Sequence, residues 1–221
     1  MGKIFKIMIN KFIAFFILIG LFPLFLFISL LLLLSQGRPI FYSQRRVGKD
    51  YAVFSLFKFR TMVNDINGPE ITEINDKRIT TIGKVLRKLK IDELPQIINI
   101  IIGDLNFVGP RPEVEKFVNE YDFSFLKKIK PGLTDFSSIL FSSEEILLSK
   151  LGGAKHYHKI LPIKLDLINH YIIVRNIWVD CKIIILTIFG LIMPTLAKTR
   201  IKKIIYKNNP DLFNKITSIG I

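Results

Sequence analysis

Hydrophobic positions are unevenly spread along this chain. From Phe12 to Leu34 run 23 residues without a charged side chain, FIAFFILIGLFPLFLFISLLLLL. The stretch has almost no polar face, so it reads as a lipid-facing helix, and about 20 such residues cross a bilayer core. Its length, and the absence of a small-x-small site after Leu34, argue against a cleaved signal peptide. Pro23 lies at its middle, where it removes a helix hydrogen bond and kinks the backbone. Both flanks are basic: Lys3, Lys6 and Lys11 before, Arg38, Arg45, Arg46 and Lys49 after. A helix bent at Pro23 that returns to the same leaflet satisfies the positive-inside rule at both ends. A single kinked span with residues 38–60 inside is the alternative.

Behind this stretch the pattern shortens. Strand-like pieces fall at Ala52–Phe59 and Phe107–Gly109, helical ones at Thr80–Leu89, Glu93–Ile102, Val114–Glu120 and Leu161–Val174. The expected fold class is α/β, mostly α. Leu94, Ile97, Ile98 and Ile101 mark one helical face, with Asp92 as its N-cap, Pro95 in its first turn and Gly103 at its close. Ile183–Met193 is a further apolar run, too short to span, and fits a core or interfacial helix. Lys198, Arg200, Lys202, Lys203 and Lys207 follow it, a basic tail suited to headgroups. The expected division is a membrane-inserted segment, 1–36, and one catalytic domain, 37–221.

Composition sharpens this picture. Of 221 residues, half are hydrophobic, mean hydropathy is +0.39, and 32 Lys+Arg against 18 Asp+Glu leave a net charge of +14. Such apolarity excludes an intrinsically disordered chain. The single Cys181 excludes an intramolecular disulfide and a four-cysteine zinc site, and it reads as a small buried residue. His156, His158 and His170 lack tight metal-ligand spacing and read as surface or loop histidines. The charge alone would also suit nucleic acid, but no binding motif accompanies it and the apolar stretch argues against it.

Candidate chemistry concentrates in TTIGKVLRKLKIDELPQIINIIIGDLNFVGPRPE, from Thr80 to Glu113. Asp92 and Glu93 at a helix start would sit in a field that keeps a carboxylate ionised and attracts phosphate. Simple capping is the competing reading, and cations weaken it. Arg87 precedes Asp92 by five residues, and Arg111 is held between Pro110 and Pro112. Lys58 and Arg60 alternate with Phe57 and Phe59 in SLFKFRTM, which places both cations on one face of a strand. Rigid cations beside an ionised carboxylate make a diphosphate site. A carboxylate can also hold Mg²⁺ against phosphate oxygens.

FYSQRRVGKD, SLFKFRTM, LRKLKIDELPQIINIIIGDLNFVGPRPE and KPGLT, in that order behind an apolar segment, resemble the bacterial sugar transferase family. These are monotopic polyprenyl-phosphate phosphoglycosyl transferases, and the size resembles their minimal form. The resemblance implies an N-terminal re-entrant membrane helix hairpin, broken at Pro23. It also implies a small membrane-associated catalytic domain with interfacial amphipathic helices, at the cytoplasmic face of the bacterial inner membrane. It implies transfer of a sugar-1-phosphate from a UDP-sugar to polyprenyl (undecaprenyl) phosphate, with release of UMP, as the first membrane step of glycan assembly. Asp92 matches the nucleophile that forms a covalent phosphosugar-aspartate, and Glu93 matches its supporting partner. Arg87 and Arg111 match phosphate-binding arginines, Lys58 and Arg60 belong to the same cationic group, and Mg²⁺ is the implied cofactor, held by Asp92. Nucleic acid is not an expected partner. A membrane-anchored basic scaffold, or a nucleic-acid or lipid-binding protein without catalysis, is the competing function.

Three departures from the family pattern stand out. Phe22 precedes Pro23, where many members carry a small polar residue able to bond a freed carbonyl. Asp135 follows KPGLT, where many have Gly. The stretch from Phe136 to Pro162, FSSILFSSEEILLSKLGGAKHYHKILP, follows its own course and points to substrate choice or a subfamily trait. Asp180 resembles a family position, and a helix N-terminal acid accounts for it.

Overall fold

The computed structural model describes residues 2–63, 72 and 76–220, without the side chains of residues 2–6 and 154. The side chains of Lys3 and Lys6 therefore lie outside the description. The chain forms two compact units. The first comprises Met1–Gly68, Lys77–Phe107 and Pro112–Pro131, the second Pro69–Asp76, Val108–Arg111 and Gly132–Ile221. The architecture is mostly helical with two small two-stranded sheets, in keeping with the α/β, mostly α, expectation.

The first unit opens with α1 (Gly2–Gln36), one long apolar helix that continues through Pro23. The expected hairpin is therefore not seen as two separate helices. Leu18, Leu21, Phe25, Ile28 and Leu32 recur at alternating spacings of three and four, which aligns them along one face. That face packs on Phe59 and Leu86 and on Ile40, Ile82, Ile91 and Leu94. The Phe25 and Phe59 rings are 5.3 Å apart. Phe12, Phe16, Phe22 and Phe27 point outward and are exposed.

Strands β1 (Phe41–Val47) and β2 (Val53–Phe59) pair antiparallel, from Phe41 opposite Phe59 to Val47 opposite Val53. The pattern located β2 within a residue but not β1, whose sequence FYSQRRV has charged residues where alternation was needed. Helix α2 (Thr81–Lys88) starts where the Thr80 hydroxyl accepts the Gly83 N–H at 3.0 Å. It ends before Lys90, which adopts the left-handed region (φ 56°). Ile91–Glu93 then form a 3-10 turn, and α3 runs over Gln96–Ile102 to Gly103 (φ 110°). Asp92 is thus inside a turn and is not the N-cap of α3, because the reversal at Lys90 inserts a tight turn before the helix. The buried face of α3 also differs from the expected one. Gln96, Ile97, Asn99 and Ile100 are buried, while Leu94, Ile98 and Ile101 are half-buried, since β2 and α1 both pack on this helix.

Asn99 is fully buried and fully used. Its Nδ2 donates to the Ser55 carbonyl at 2.7 Å and to Asp104 Oδ2 at 3.2 Å, and its Oδ1 accepts the Phe57 N–H at 3.1 Å. Its own carbonyl accepts from the N–H groups of Gly103, Asp104 and Leu105. One side chain therefore binds β2 to α3. Strand β3 (Asn106–Val108) and helix α4 (Glu115–Glu120) follow.

In the second unit, Gly109 N–H donates to the Thr134 carbonyl at 3.0 Å, and Gly132 N–H to the Pro110 carbonyl at 2.9 Å. This ties β4 (Gly132–Thr134) to the GPRP segment. A Cβ on Gly132 would stand 2.1 Å from Gly109 N, so only glycine allows the approach. Asp135 caps α5 (Phe136–Leu140), accepting from Ser138 N–H and from the Ser137 and Ser138 hydroxyls. Capping explains an acid at this position. Helix α6 (Glu144–Leu151) is joined to α7 (Tyr157–Val174) by buried Lys164, which bonds both Glu144 oxygens and Tyr157 Oη. Tyr171 Oη donates to buried Asp180 at 2.6 Å, in the first turn of α8 (Ile177–Ile192). Burial and this carboxylate push the Tyr171 hydroxyl above the ordinary tyrosine range.

Two expectations are corrected here. Cys181 is exposed: α8 buries only Asp180 and Ile183, and its other residues are half-buried or exposed. His170 is buried beside the Phe136 ring, and that burial lowers its pKa. Helices α9 (Pro194–Asn208) and α10 (Pro210–Ser218) complete the unit. Ala197, Ile201 and Ile205 recur every four residues as the buried stripe of α9.

Replacing Asn99, itself fully buried, by Ala takes away the side-chain partner of the Phe57 N–H and of the Ser55 carbonyl. The expected loss is about 1–3 kcal/mol of stability, the usual cost of leaving a polar group unsatisfied. Denaturant unfolding of the detergent-solubilised protein measures it. A loss within 0.5 kcal/mol, the usual range of a surface substitution at about that size, would remove the central role given to this side chain.

Candidate active site

The site lies in the first unit, where β2, the end of α2 and the 91–93 turn meet. β2 presents Lys58, whose Nζ bonds Glu93 Oε1 at 3.1 Å. Both side chains are mostly buried, 19% and 15% exposed, so the pair is shielded from the screening that weakens surface ion pairs. Asp92 is 5% exposed, and its Oδ1 is buried with no hydrogen-bond partner. Burial raises its pKa above the ordinary aspartate range, and the neighbouring Glu93 raises it further. Lys58, Arg87 and Lys90 oppose this, in that order, without cancelling it. The turn therefore does not favour the ionised carboxylate as the expected N-terminal field would have done. Desolvation outweighs the cations.

Lys58, Arg87, Asp92 and Glu93 are thus gathered within one electrostatic neighbourhood. Arg60 is placed differently. It follows the last residue of β2, and its guanidinium donates to the carbonyls of Gln36, Gly37 (2.8 Å) and Arg38 (3.0 Å). Gln36 Nε2 returns a bond to the Arg60 carbonyl at 2.6 Å. Arg60 therefore holds the end of α1. Arg111 belongs to the second unit, half-buried between buried Pro110 and Pro112.

Sequence reasoning missed two members. Lys90 lay in the quoted run LRKLKIDELPQ, but nothing in it signalled a left-handed residue that turns the chain beside Asp92. Gln96 is 1% exposed and its Nε2 has no partner. Its signal was a polar side chain on a helix made, apart from Asn99, of Ile. Among the described residues, no group of three or more His, Cys, Asp or Glu could hold a metal ion. The orphaned Asp92 Oδ1 fits a different kind of site, because Mg²⁺ keeps several waters and takes one or two carboxylates together with substrate phosphates.

A buried carboxylate flanked by cations can act as a nucleophile toward an anionic substrate, or as one ligand of a hard cation. The comparisons with known proteins agree with phosphate chemistry. The model of the bacterial sugar transferase family matches residues 1–194. The chain belongs to this family and is a transferase. It is 35% identical over 188 residues to the exopolysaccharide production protein ExoY of Sinorhizobium fredii, covering 76% of this chain and 82% of the relative. It is 36% identical over 193 residues to the UDP-glucose:undecaprenyl-phosphate glucose-1-phosphate transferase of Xanthomonas campestris, covering 82% of this chain. Only 37% of that relative's length is spanned. A UDP-N-acetylgalactosamine-undecaprenyl-phosphate N-acetylgalactosaminephosphotransferase of Aeromonas hydrophila is 36% identical over 125 residues, 53% of this chain and 30% of its own length.

The raised pKa of Asp92 has a consequence for stability. A carboxyl whose pKa is higher in the fold than in the unfolded chain favours the fold when protonated. That contribution is full below the ordinary value near 3.8 and is lost as pH rises through the folded-state value. Above the ordinary value, and so at neutral pH, Asp92 therefore costs stability, and Asp92→Asn should raise the melting temperature. The gain should shrink as the pH is lowered toward the ordinary carboxylate range. A variant less stable than the parent at pH 7 contradicts this reading of the site.

Proposed function

We propose that this protein is a phosphoglycosyl transferase that moves a sugar-1-phosphate from a UDP-sugar to polyprenyl phosphate. The observation that carries the reading is the buried Asp92 carboxylate, with an orphaned oxygen, set among Lys58, Arg87 and Lys90. In the first step an Asp92 oxygen attacks the β-phosphorus of the UDP-sugar. A carboxyl–phosphorus bond forms as the bond from that phosphorus to the bridging oxygen breaks. UMP departs with the bridging oxygen and its electron pair. In the second step a phosphate oxygen of the polyprenyl phosphate attacks the same phosphorus. The Asp92 carboxylate leaves with the electron pair, and a polyprenyl-diphosphate sugar is released.

Each protein group has a physical task. Lys58 holds Glu93 and offsets part of its repulsion of Asp92. Arg87 and Lys90 counter the charge of the attacking carboxylate and of the phosphate that it approaches. Burial strips water from the nucleophile. Arg111 is assigned to phosphate by the resemblance of its GPRP segment to the family motif. Mg²⁺ would be held by Asp92 and by phosphate oxygens, and would neutralise charge on the diphosphate when bound.

Membrane attachment through a re-entrant α1 is part of the same proposal. Near one end of the apolar stretch Lys11 Nζ bonds the Ile102 carbonyl at 2.9 Å, and past the other end Gln36 bonds Arg60. Both ends are fastened to one compact unit, which suits a helix that enters and leaves on the same side better than one that crosses. Ile185, Ile188 and Ile192 on α8 are exposed, and the basic α9 follows. This arrangement suits interfacial helices on the cytoplasmic face, where soluble UDP-sugars and anionic headgroups are both available.

Incubation with a panel of UDP-sugars, Mg²⁺ and polyprenyl phosphate should release UMP from at least one donor. Asp92→Asn should abolish both turnover and covalent phosphosugar labelling, because an amide is a poor nucleophile. Near-normal turnover by that variant removes Asp92 from the mechanism. Silence of folded protein across the panel favours a membrane scaffold, and salt-sensitive DNA retention without UMP favours nucleic-acid binding. Arg111→Ala should reduce the rate by ~10²-fold or more if the guanidinium stabilises the transferring phosphate. A reduction under about threefold would leave it a structural role, far short of the loss of an oxyanion donor.

A further inference from the structure

Lys11 and Lys130 converge on the C-terminal end of α3. Lys11 Nζ donates to the Ile102 carbonyl and Lys130 Nζ to the Gly103 carbonyl. Both nitrogens lie within 4.0 Å of the point where a Cβ on Gly103 would stand, and so within about 7 Å of each other. Gly103 has a left-handed backbone, and any side chain there would press against Lys11 at 3.2 Å. The two ammonium groups share the space left by its missing side chain.

Helix capping explains one lysine more easily than two. A helix C-terminus carries roughly half a negative charge, against two positive charges gathered here. Asp104 is the nearby acid, and its Oδ2 already accepts from Asn99. Lys130 is held below the ordinary lysine range, first by burial and then by Lys11, with Asp104 opposing and Lys49 adding to the shift. Lys49 is itself paired with Asp50 at 2.5 Å. Each ammonium has three donors, more than one carbonyl bond consumes. A phosphate between them would use those donors and relieve the repulsion.

The surroundings specify the kind of phosphate. Lys11 directly precedes the uncharged stretch of α1. Met8 and Phe15, one turn to either side of Lys11 on the same helix face, are 64% and 51% exposed. Phe12 and Ile102 beside it are exposed as well. An anion bound here sits against hydrocarbon-seeking side chains, which suits a phosphate that carries acyl chains.

We propose that Lys11 and Lys130 form a binding site for the phosphate of an anionic membrane lipid, whose acyl chains lie along the apolar face of α1 from Phe12 onward. The proposal rests on the membrane reading of α1 and is independent of the chemistry at Asp92. The site fixes the depth at which the start of α1 meets the headgroup layer.

Native mass spectrometry of protein released from bilayers of phosphatidylcholine with one-fifth phosphatidylglycerol tests it. The parent should retain phosphatidylglycerol over phosphatidylcholine by at least about fivefold, the size expected of charge-assisted hydrogen bonds. The double variant Lys11→Gln/Lys130→Gln should lose the preference. Lys11→Arg/Lys130→Arg, which keeps both charges and their donors, should retain it. Flotation with pure phosphatidylcholine vesicles should be equal for all three, since the apolar face of α1 is unchanged. Failure of the parent to float with any vesicle overturns the membrane reading and this site with it. Flotation without a phosphatidylglycerol preference, or a preference that survives in the Gln variant, reduces the pair to a helix cap and overturns the site alone. Displacement of the lipid by millimolar inorganic phosphate reassigns the pair to soluble phosphate and overturns the lipid assignment.

Discussion

The site depends on one buried amide. Asn99 bonds the backbone of β2 at Ser55 and Phe57, and the chain after α3 at Asp104. Lys58 follows Phe57 directly, and the 91–93 turn leads into α3. The register in which Lys58 meets Glu93 is therefore set by what Asn99 reaches. A hydrophobic residue at this position would pack but could not fix that register, because apolar contact has no direction. A fully satisfied polar group in a core gives up some burial energy and gains a single defined arrangement.

Within that frame the Asp92 carboxylate is held under opposing pressures. Burial and Glu93 favour its protonated form, and three cations favour its ionised form. The balance falls on the side of desolvation. A nucleophile gains from this, since less water must be shed when an electrophile arrives. The same balance makes the site a local weakness of the fold, a common trade between activity and stability.

Legibility in the sequence followed the physics of each element. The apolar stretch was plain because its hydropathy needs no partner to be recognised. The ends of α2 and α3 were readable from Thr80 and Gly103, whose roles are local. The Asp92 region was recognisable from its motif, but its conformation was not, since a left-handed Lys90 carries no compositional mark. The role of Arg60 was hidden for another reason. Strand alternation placed it beside Lys58, while the carbonyls that claim it belong to Gln36, Gly37 and Arg38, more than twenty residues earlier. Long-range capping of this kind leaves no periodicity. Gln96 and Asn99 interrupt the Ile-rich run of α3 in the sequence, and both are buried on its packed face. The exposed Cys181 shows the converse, an apolar helix whose outward side has no protein against it.

Helix α1 has two faces with different demands. Its inward residues, Phe25, Ile28 and Leu32, fill the core formed with Phe59 and Leu86, and their shapes matter. Its outward residues need only be apolar. Substitution should therefore be permissive on one side and restrictive on the other, within a single helix. The helix is consequently not a detachable cassette. A chain cut after Gln36 would bare the Phe59–Leu86 surface and leave Arg60 without the Gln36 carbonyl, one of the three that it binds. Loss of α1 would be a folding defect before anything else.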